Sequence, residues 1–277
     1  MDTTAFFAAL PTVFDGDPQD HDPRDPYWRQ HTERVDGFTS PNELAVLNLA
    51  ARLLPANEAY LEVGTFKGRS LSGVVRGITS RRFYAMENFG EFGMSGVRAR
   101  EELMRNLATY AGEADVELIE GDCFALLAKP GLIDRPVGVY FYDGEHTLLA
   151  HYLALAVAEP VLADEALVLV DDASWPMVQR AHRLFLQRHP GWEVAATWDA
   201  PVNDDPRWAN GLHALVFRRV RPSRLSARDE ALRRYQTTVQ DRLNAVAWAV
   251  GSRLPDAVKT RVQQAISGAR TIRGGND

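Results

Sequence analysis

The sequence predicts an α/β fold: a doubly wound, mostly parallel seven-stranded sheet with an antiparallel last strand, flanked by an N-terminal arm and C-terminal helices. Three observations predict it. Five short β-rich runs, "EAYLEV" (58–63), "RFYAME" (82–87), "VELIE" (116–120), "VGVYFY" (137–142) and "ALVLVD" (166–171), alternate with helical patterns. Parallel neighbours cannot be joined by a tight hairpin, so strands separated by crossover helices form a parallel sheet covered on both faces. Two further runs, "WEVAATW" (192–198) and "LHALVFRR" (212–219), are joined by a Pro-, Asp- and Asn-rich loop instead of a helix and read as antiparallel to each other.

The elements follow in order. Residues 14–30, "FDGDPQDHDPRDPYWRQ", are rich in Asp and Pro and read as an arm or surface loop outside the core. The arm spans 1–35; two readings stay open for it, a lid ordered over a pocket through Tyr27 and Trp28, or disorder. A helix then starts at "TSPNELAVLNLAARLL", where Ser40 caps, Pro41 suits the first helical position and Glu43 completes a capping box. The main domain runs over 36–220. In the extension over 221–277, Leu232, Tyr235, Val239, Leu243, Val246 and Val250 recur in steps of three or four and trace one face of a helix. Val258, Val262 and Ile266 continue the stripe past Pro255, and the tail "RTIRGGND" frays. The stripe either packs on its own domain or joins two copies as a homo-oligomer, since periodicity alone does not separate the two.

A chain of 277 residues, 45% hydrophobic and 25% charged, has the composition of an ordinary globular protein. Its net charge of -6 offers no attraction to a polyanion, which excludes nucleic acid as a default partner and leaves a small molecule. Cys123 is the only cysteine, so no intrachain disulfide forms and a cysteine-based zinc site is excluded; a reducing cytoplasm is expected. The N-terminal stretch lacks a basic region before its short apolar run, and no segment approaches a membrane span.

"YLEVGTFKGRSL" (60–71) reads as strand, glycine turn and helix start. Gly64 and Gly68, with Thr65 and Phe66 between them, make a tight turn with room for a ligand beside backbone amides. A dinucleotide fingerprint would read G-x-G-x-x-G; here the spacing is G-x-x-x-G and Glu62 precedes it, which disfavours a pyrophosphate. Glu62 suits a cationic group, directly or through water, and S-adenosylmethionine carries an ammonium; Ser70 and nearby amides then suit its carboxylate end. Glu87, at the end of the second strand, stands where open α/β sheets hold ribose hydroxyls. Asp122 after the third strand could accept from an adenine amino group with Cys123 beside the ring, although Gly-Asp is also a plain turn.

With "EVGTFKGRS", an acid after strand two, "GD" after strand three and a final antiparallel pair, the chain resembles the class I S-adenosylmethionine-dependent methyltransferases over roughly residues 36–220. The resemblance implies a Rossmann-like fold and that cofactor, and says little about the substrate.

In "YFYDGEHTLL" (140–149) the fourth strand ends on Asp143, which borders the cofactor crevice at the carboxyl edge of the sheet. The fifth ends on Asp171 and Asp172. Crowded carboxylates repel, so a cation among them is expected, and oxygen ligands without cysteine favour Mg²⁺, or Mn²⁺ in its place. Such an ion lowers the pKa of a substrate hydroxyl and fixes its oxygen, and His146, three residues after Asp143, can take the proton. The bland readings are a simple Asp143-Gly144 turn, an exposed His146 and an Asp171-Asp172 helix cap. The arrangement is similar to the metal-dependent O-methyltransferases of the catechol and macrocin types, which implies Asp143, Asp171 and Asp172 as metal ligands and His146 as base. At 171 the macrocin type more often has Glu. Trp175 and Trp208 are candidate walls for the substrate ring, while Glu145 and His151 read as surface residues. Two rival classes remain: a metal-independent methyltransferase with His146 as base, and an NAD-dependent or non-catalytic nucleotide-binding protein.

Overall fold

The computed structural model describes residues 1–92, 94–222 and 224–240. Met1–Arg233 form one compact unit, and a second begins at Arg234. From Asp241 on, the expected C-terminal helices, the subunit contact assigned to them and the fraying tail lie outside the described residues.

Two helices, α1 (Thr3–Ala9) and α2 (Tyr27–Arg34), precede α3 (Pro41–Arg52). Then β1 (Ala59–Val63), α4 (Arg69–Val74), β2 (Arg82–Glu87), α5 (Met94–Tyr110), β3 (Asp115–Glu120), α6 (Cys123–Leu126), β4 (Val137–Tyr142), α7 (Leu148–Ala158) and β5 (Leu162–Val170) alternate. The chain continues through α8 (Pro176–Leu186), β6 (Trp192–Trp198), β7 (Leu212–Arg218) and α9 (Ala227–Tyr235). The seven strands form one sheet in the order β3-β2-β1-β4-β5-β7-β6. β1 to β5 pair in parallel, and β7 inserts antiparallel between β5 and β6; that β6 and β7 are antiparallel to each other is what the loop-joined final runs predict.

The central strands alternate their side chains between two buried layers. Tyr60, Phe83, Phe141 and Leu169 face the layer that holds Phe6, Phe14, Leu44 and Leu71. Leu61, Tyr84, Tyr140 and Val168 face the layer that holds Phe124, Leu153 and Phe185. Both faces are covered, so β4 is buried at every position and its sequence is apolar without polar alternation. The α3 start follows the sequence expectation: Ser40 and Glu43 form both bonds of a capping box, with Pro41 in the first turn.

The arm departs from expectation, being ordered and part of the core. Phe6 and Phe14 are fully buried and Trp28 nearly so. Its aspartates act as local acceptors: Asp2 caps α1 through Ala5 N–H, and Asp25 takes Tyr27 N–H. Arg76 lies over the Tyr27 ring, 3.7 Å from its centroid, and bonds Asp25 at 2.5 Å. Composition argued for disorder because it counts Asp and Pro as breakers; here they cap and turn a chain whose interspersed aromatics have an apolar surface to cover. No helix among the described residues is long and apolar enough to cross a membrane.

Candidate active site

The parallel strands end along one edge, and main-chain bonds carry the line of strand ends beyond the sheet. Gly64 N–H donates to the Met86 carbonyl (3.0 Å), Asp143 N–H to the Val63 carbonyl (2.9 Å) and Asp171 N–H to the Tyr142 carbonyl (3.0 Å). The residues that follow β1, β4 and β5 are therefore held side by side. The strand order reverses between β1 and β4, the switch point at which open α/β sheets present a ligand crevice.

Gly64 holds a φ of +92°, and a Cβ there would run into the Asp143 carbonyl, so only glycine permits this approach of β1 to β4. Gly68 caps α4 in the left-handed region, and Phe66, also left-handed, donates its N–H to Glu87 (2.6 Å). Burial raises the Glu87 pKa, against the pull of amide bonds from Phe66 and Asn88. Thr65 is buried, with no partner for its hydroxyl among the described residues. Glu62 is fully buried behind the turn, and Tyr60 OH (2.9 Å) and Ser70 Oγ (2.6 Å) both donate to it. Ser70 is thus not placed as the sequence suggested: its hydroxyl serves Glu62, because a carboxylate sealed from water takes the nearest donors. Asp122 caps α6, accepting from Phe124 N–H (2.9 Å) and Ala125 N–H (3.2 Å), the local role that its Gly-Asp context also allowed; Cys123 opens that helix, half-buried.

Burial pushes the Glu62 pKa up to about 8, with the Ser70 and Tyr60 hydrogen bonds opposing. Its protonated form is the one the fold favours. The stabilisation this gives is complete below the ordinary carboxyl pKa of 4.5 and is lost as pH rises through about 8. Thermal unfolding of the wild type should therefore lose ground to Glu62→Gln as pH rises across that window; parallel melting curves would remove the effect.

The acidic centre differs in one respect from the sequence expectation. Asp143, His146 and Asp172 offer ligand atoms that all lie within 4.8 Å of one another. Asp171 is not in this group; its carboxyl turns toward Glu43 of α3 and toward Asp143. His146 Nε2 lies 2.7 Å from Asp172 Oδ2 and 3.8 Å from Asp143 Oδ1. Desolvation works to lower the His146 pKa, but hydrogen bonds and charge from Asp143 and Asp172 outweigh it and push it up to about 10. The imidazolium is itself a positive charge placed between the two carboxylates of Asp143 and Asp172. Asp172 sits at φ +57°, strained for a non-glycine residue, and Asn210 Nδ2 donates to its Oδ1 (2.8 Å).

Trp175 lies beside the acidic centre: its ring meets His146 edge-on at 5.5 Å, and its indole N–H donates to Asn203 (3.0 Å). Trp208 does not. It is fully buried, stacked on Trp198 at 5.0 Å with its N–H on the Pro18 carbonyl, so it packs the arm against the 199–211 loop and presents no wall to a ligand. His151 is likewise no surface residue: it is buried on α7 with its ring against Tyr142, because that helix is covered on all sides. Sequence reasoning missed Asn210 as the partner of Asp172 and Glu43 as the neighbour of Asp171. Glu43 carried only a capping signal, and Asn210 none beyond its place in a polar loop.

Residues 61–173 match the profile of a methyltransferase domain, a stretch that contains Glu62, Glu87, Asp143, His146 and Asp172. No curated protein matches the chain in sequence. Among solved structures, an O-methyltransferase from Bacillus cereus in complex with SAH is 14% identical with a TM-score of 0.54, the match covering 79% of this chain and 100% of that one. The O-methyltransferase TomG from Streptomyces achromogenes, involved in tomaymycin synthesis and solved with SAM, is 17% identical with a TM-score of 0.51, covering 78% and 98%. At this identity the likeness establishes the fold.

Proposed function

On the premise that this chain carries a class I methyltransferase domain, we propose that it moves the methyl group of S-adenosylmethionine to a hydroxyl oxygen of a small metabolite, a natural product, sugar or phenol, with Mg²⁺ or Mn²⁺ held at the acidic centre. The observation that carries this reading is the convergence of Asp143, His146 and Asp172 beside the Gly64 turn.

The residues fit a hard divalent cation. Asp143 and Asp172 bring carboxylate oxygens to one point, and the buried Asp171 Oδ1 has no donor among the described residues. Bound there, such an ion supplies Lewis acidity that lowers the pKa of an acceptor hydroxyl. His146 then has a different task. Once another positive charge answers the two carboxylates, Nε2 no longer needs its proton and can accept one from the hydroxyl. The edge contact with Trp175 fixes the imidazole plane and gives the acceptor ring an apolar wall. On the cofactor side, the turn from Gly64 through Thr65 and Phe66 to Gly68 and the carboxylate of Glu87 take the nucleoside, with Asp122 and Cys123 beside the base. Glu62, sealed behind the turn with Tyr60 and Ser70 as its donors, holds the start of the turn in place.

Calorimetric titration with S-adenosylmethionine and with NAD, each with Mg²⁺ and with EDTA, tests the proposal. We expect S-adenosylmethionine to bind in both media, NAD to bind in neither, and turnover with a screened hydroxyl acceptor to vanish in EDTA and return with Mg²⁺ or Mn²⁺. Binding of NAD alone ends the reading. Full turnover in EDTA would favour a metal-independent transfer in which the His146–Asp172 pair, 2.7 Å apart, acts as the base by itself.

A further inference from the structure

The N-terminal end of α3 reaches the acidic centre through one side chain. Glu43 stands at the third position of that helix and is fully buried. One of its oxygens, Oε2, accepts the Ser40 N–H at 2.7 Å and closes the capping box. The other, Oε1, is buried with no donor among the described residues, and so is Oδ1 of Asp171. The two carboxyl groups are in contact with each other, and Asp143 is within electrostatic reach of both.

A capping role accounts for one Glu43 oxygen only. Exposed helix starts use glutamate at this position because water takes the second oxygen; burying that oxygen against another acid has a cost that capping does not repay. Two buried carboxyl groups in contact, adjacent to a group of three ligand atoms, need positive charge between them: a shared proton without an ion, and the ion itself when one binds.

We propose that Glu43 is a fourth carboxylate of the cation site, a positioning residue that holds Asp171 beside Asp143 and adds its charge to the pull on the ion. The inference rests on the reading that a divalent cation binds at Asp143 and Asp172. Ser40, the partner in the cap, also lines a cavity of about 290 Å³ with Thr32 of the arm, Phe38, Pro41 and Arg69.

The test is Mn²⁺ binding to the full chain, followed by electron paramagnetic resonance of the free ion, for wild type, Glu43→Gln and Glu43→Asp. Glutamine keeps the capping bond, since its carbonyl oxygen accepts the Ser40 N–H as well. The Mn²⁺ Kd is expected to rise about 10- to 100-fold in Glu43→Gln, the range seen when groups that orient metal ligands are lost. The metal-free melting temperature of that variant should be equal to the wild type or higher, and its affinity for S-adenosylmethionine unchanged. A merely structural role would lower the melting temperature and leave the Kd alone. Glu43→Asp, which keeps the charge, should lie between the two. An unchanged Kd in Glu43→Gln, or an aspartate variant weaker than the glutamine one, overturns the inference while leaving the cation reading intact. Failure of wild type to bind Mn²⁺ overturns both.

Discussion

Asp143→Ala is expected to lower methyl transfer by about three orders of magnitude while the protein stays folded and still binds S-adenosylmethionine. Its carboxylate faces His146 and Asp172, its neighbour Gly64 turns the loop after β1, and its charge acts on Glu62, Glu87 and Asp171. Removing it leaves Asp172 to hold a cation with fewer oxygens and leaves His146 bound to one carboxylate instead of two. The fold should survive, because burial raises the Asp143 pKa and its loss removes a crowded charge from the strand ends. Single-turnover transfer from labelled cofactor, with calorimetry on the same preparation, separates the two effects. Turnover within a factor of ten of wild type would take the acidic centre out of the chemistry.

Gly64→Ala should be the most damaging small substitution in the domain. The added Cβ meets main-chain oxygen of Asp143, not a side chain that could rotate away, and φ at this position is +92°. Left-handed backbone costs an alanine about 1–2 kcal/mol, and parting β1 from β4 adds the loss of the contacts behind them. We expect a total of about 4 kcal/mol, a fall in melting temperature on the order of 10 °C, and no measurable cofactor binding. Gly131→Ala is the control: φ is +76°, but nothing lies within 4 Å of the new methyl group, so only the backbone term of about 1–2 kcal/mol remains. Equal losses in the two variants would show that the close approach of the strands contributes nothing beyond backbone strain.

The parallel core was legible because its information is local. A strand buried on both faces must be apolar throughout, as "VGVYFY" is, and a capping box is written within four residues, as at Ser40 and Glu43. The glycine turn, Glu87 at the end of β2 and the acids after β4 and β5 were legible for the same reason: each sits at a strand end, and strand ends in a parallel sheet share an edge. Trp208 and the arm were misread because burial depends on what covers a residue. The aromatics of the arm and the indole of Trp208 bury one another across most of the chain length, a pairing that no window of sequence displays.

The sequence by itself determined the strands, their mostly parallel arrangement and the short set of side chains at their ends, since period and strand-end position fix which residues stand at that edge; the strand order and its switch point came with the structure. Only the tertiary structure decided how those side chains divide their partners. His146 lies between Asp143 and Asp172, Asp171 meets Glu43 and Asp143 instead, and Ser70 gives its hydroxyl to Glu62. The reason is physical: which donor a buried carboxylate takes depends on distances of a few ångströms between elements far apart in the chain, and hydrophobic periodicity carries no information at that scale.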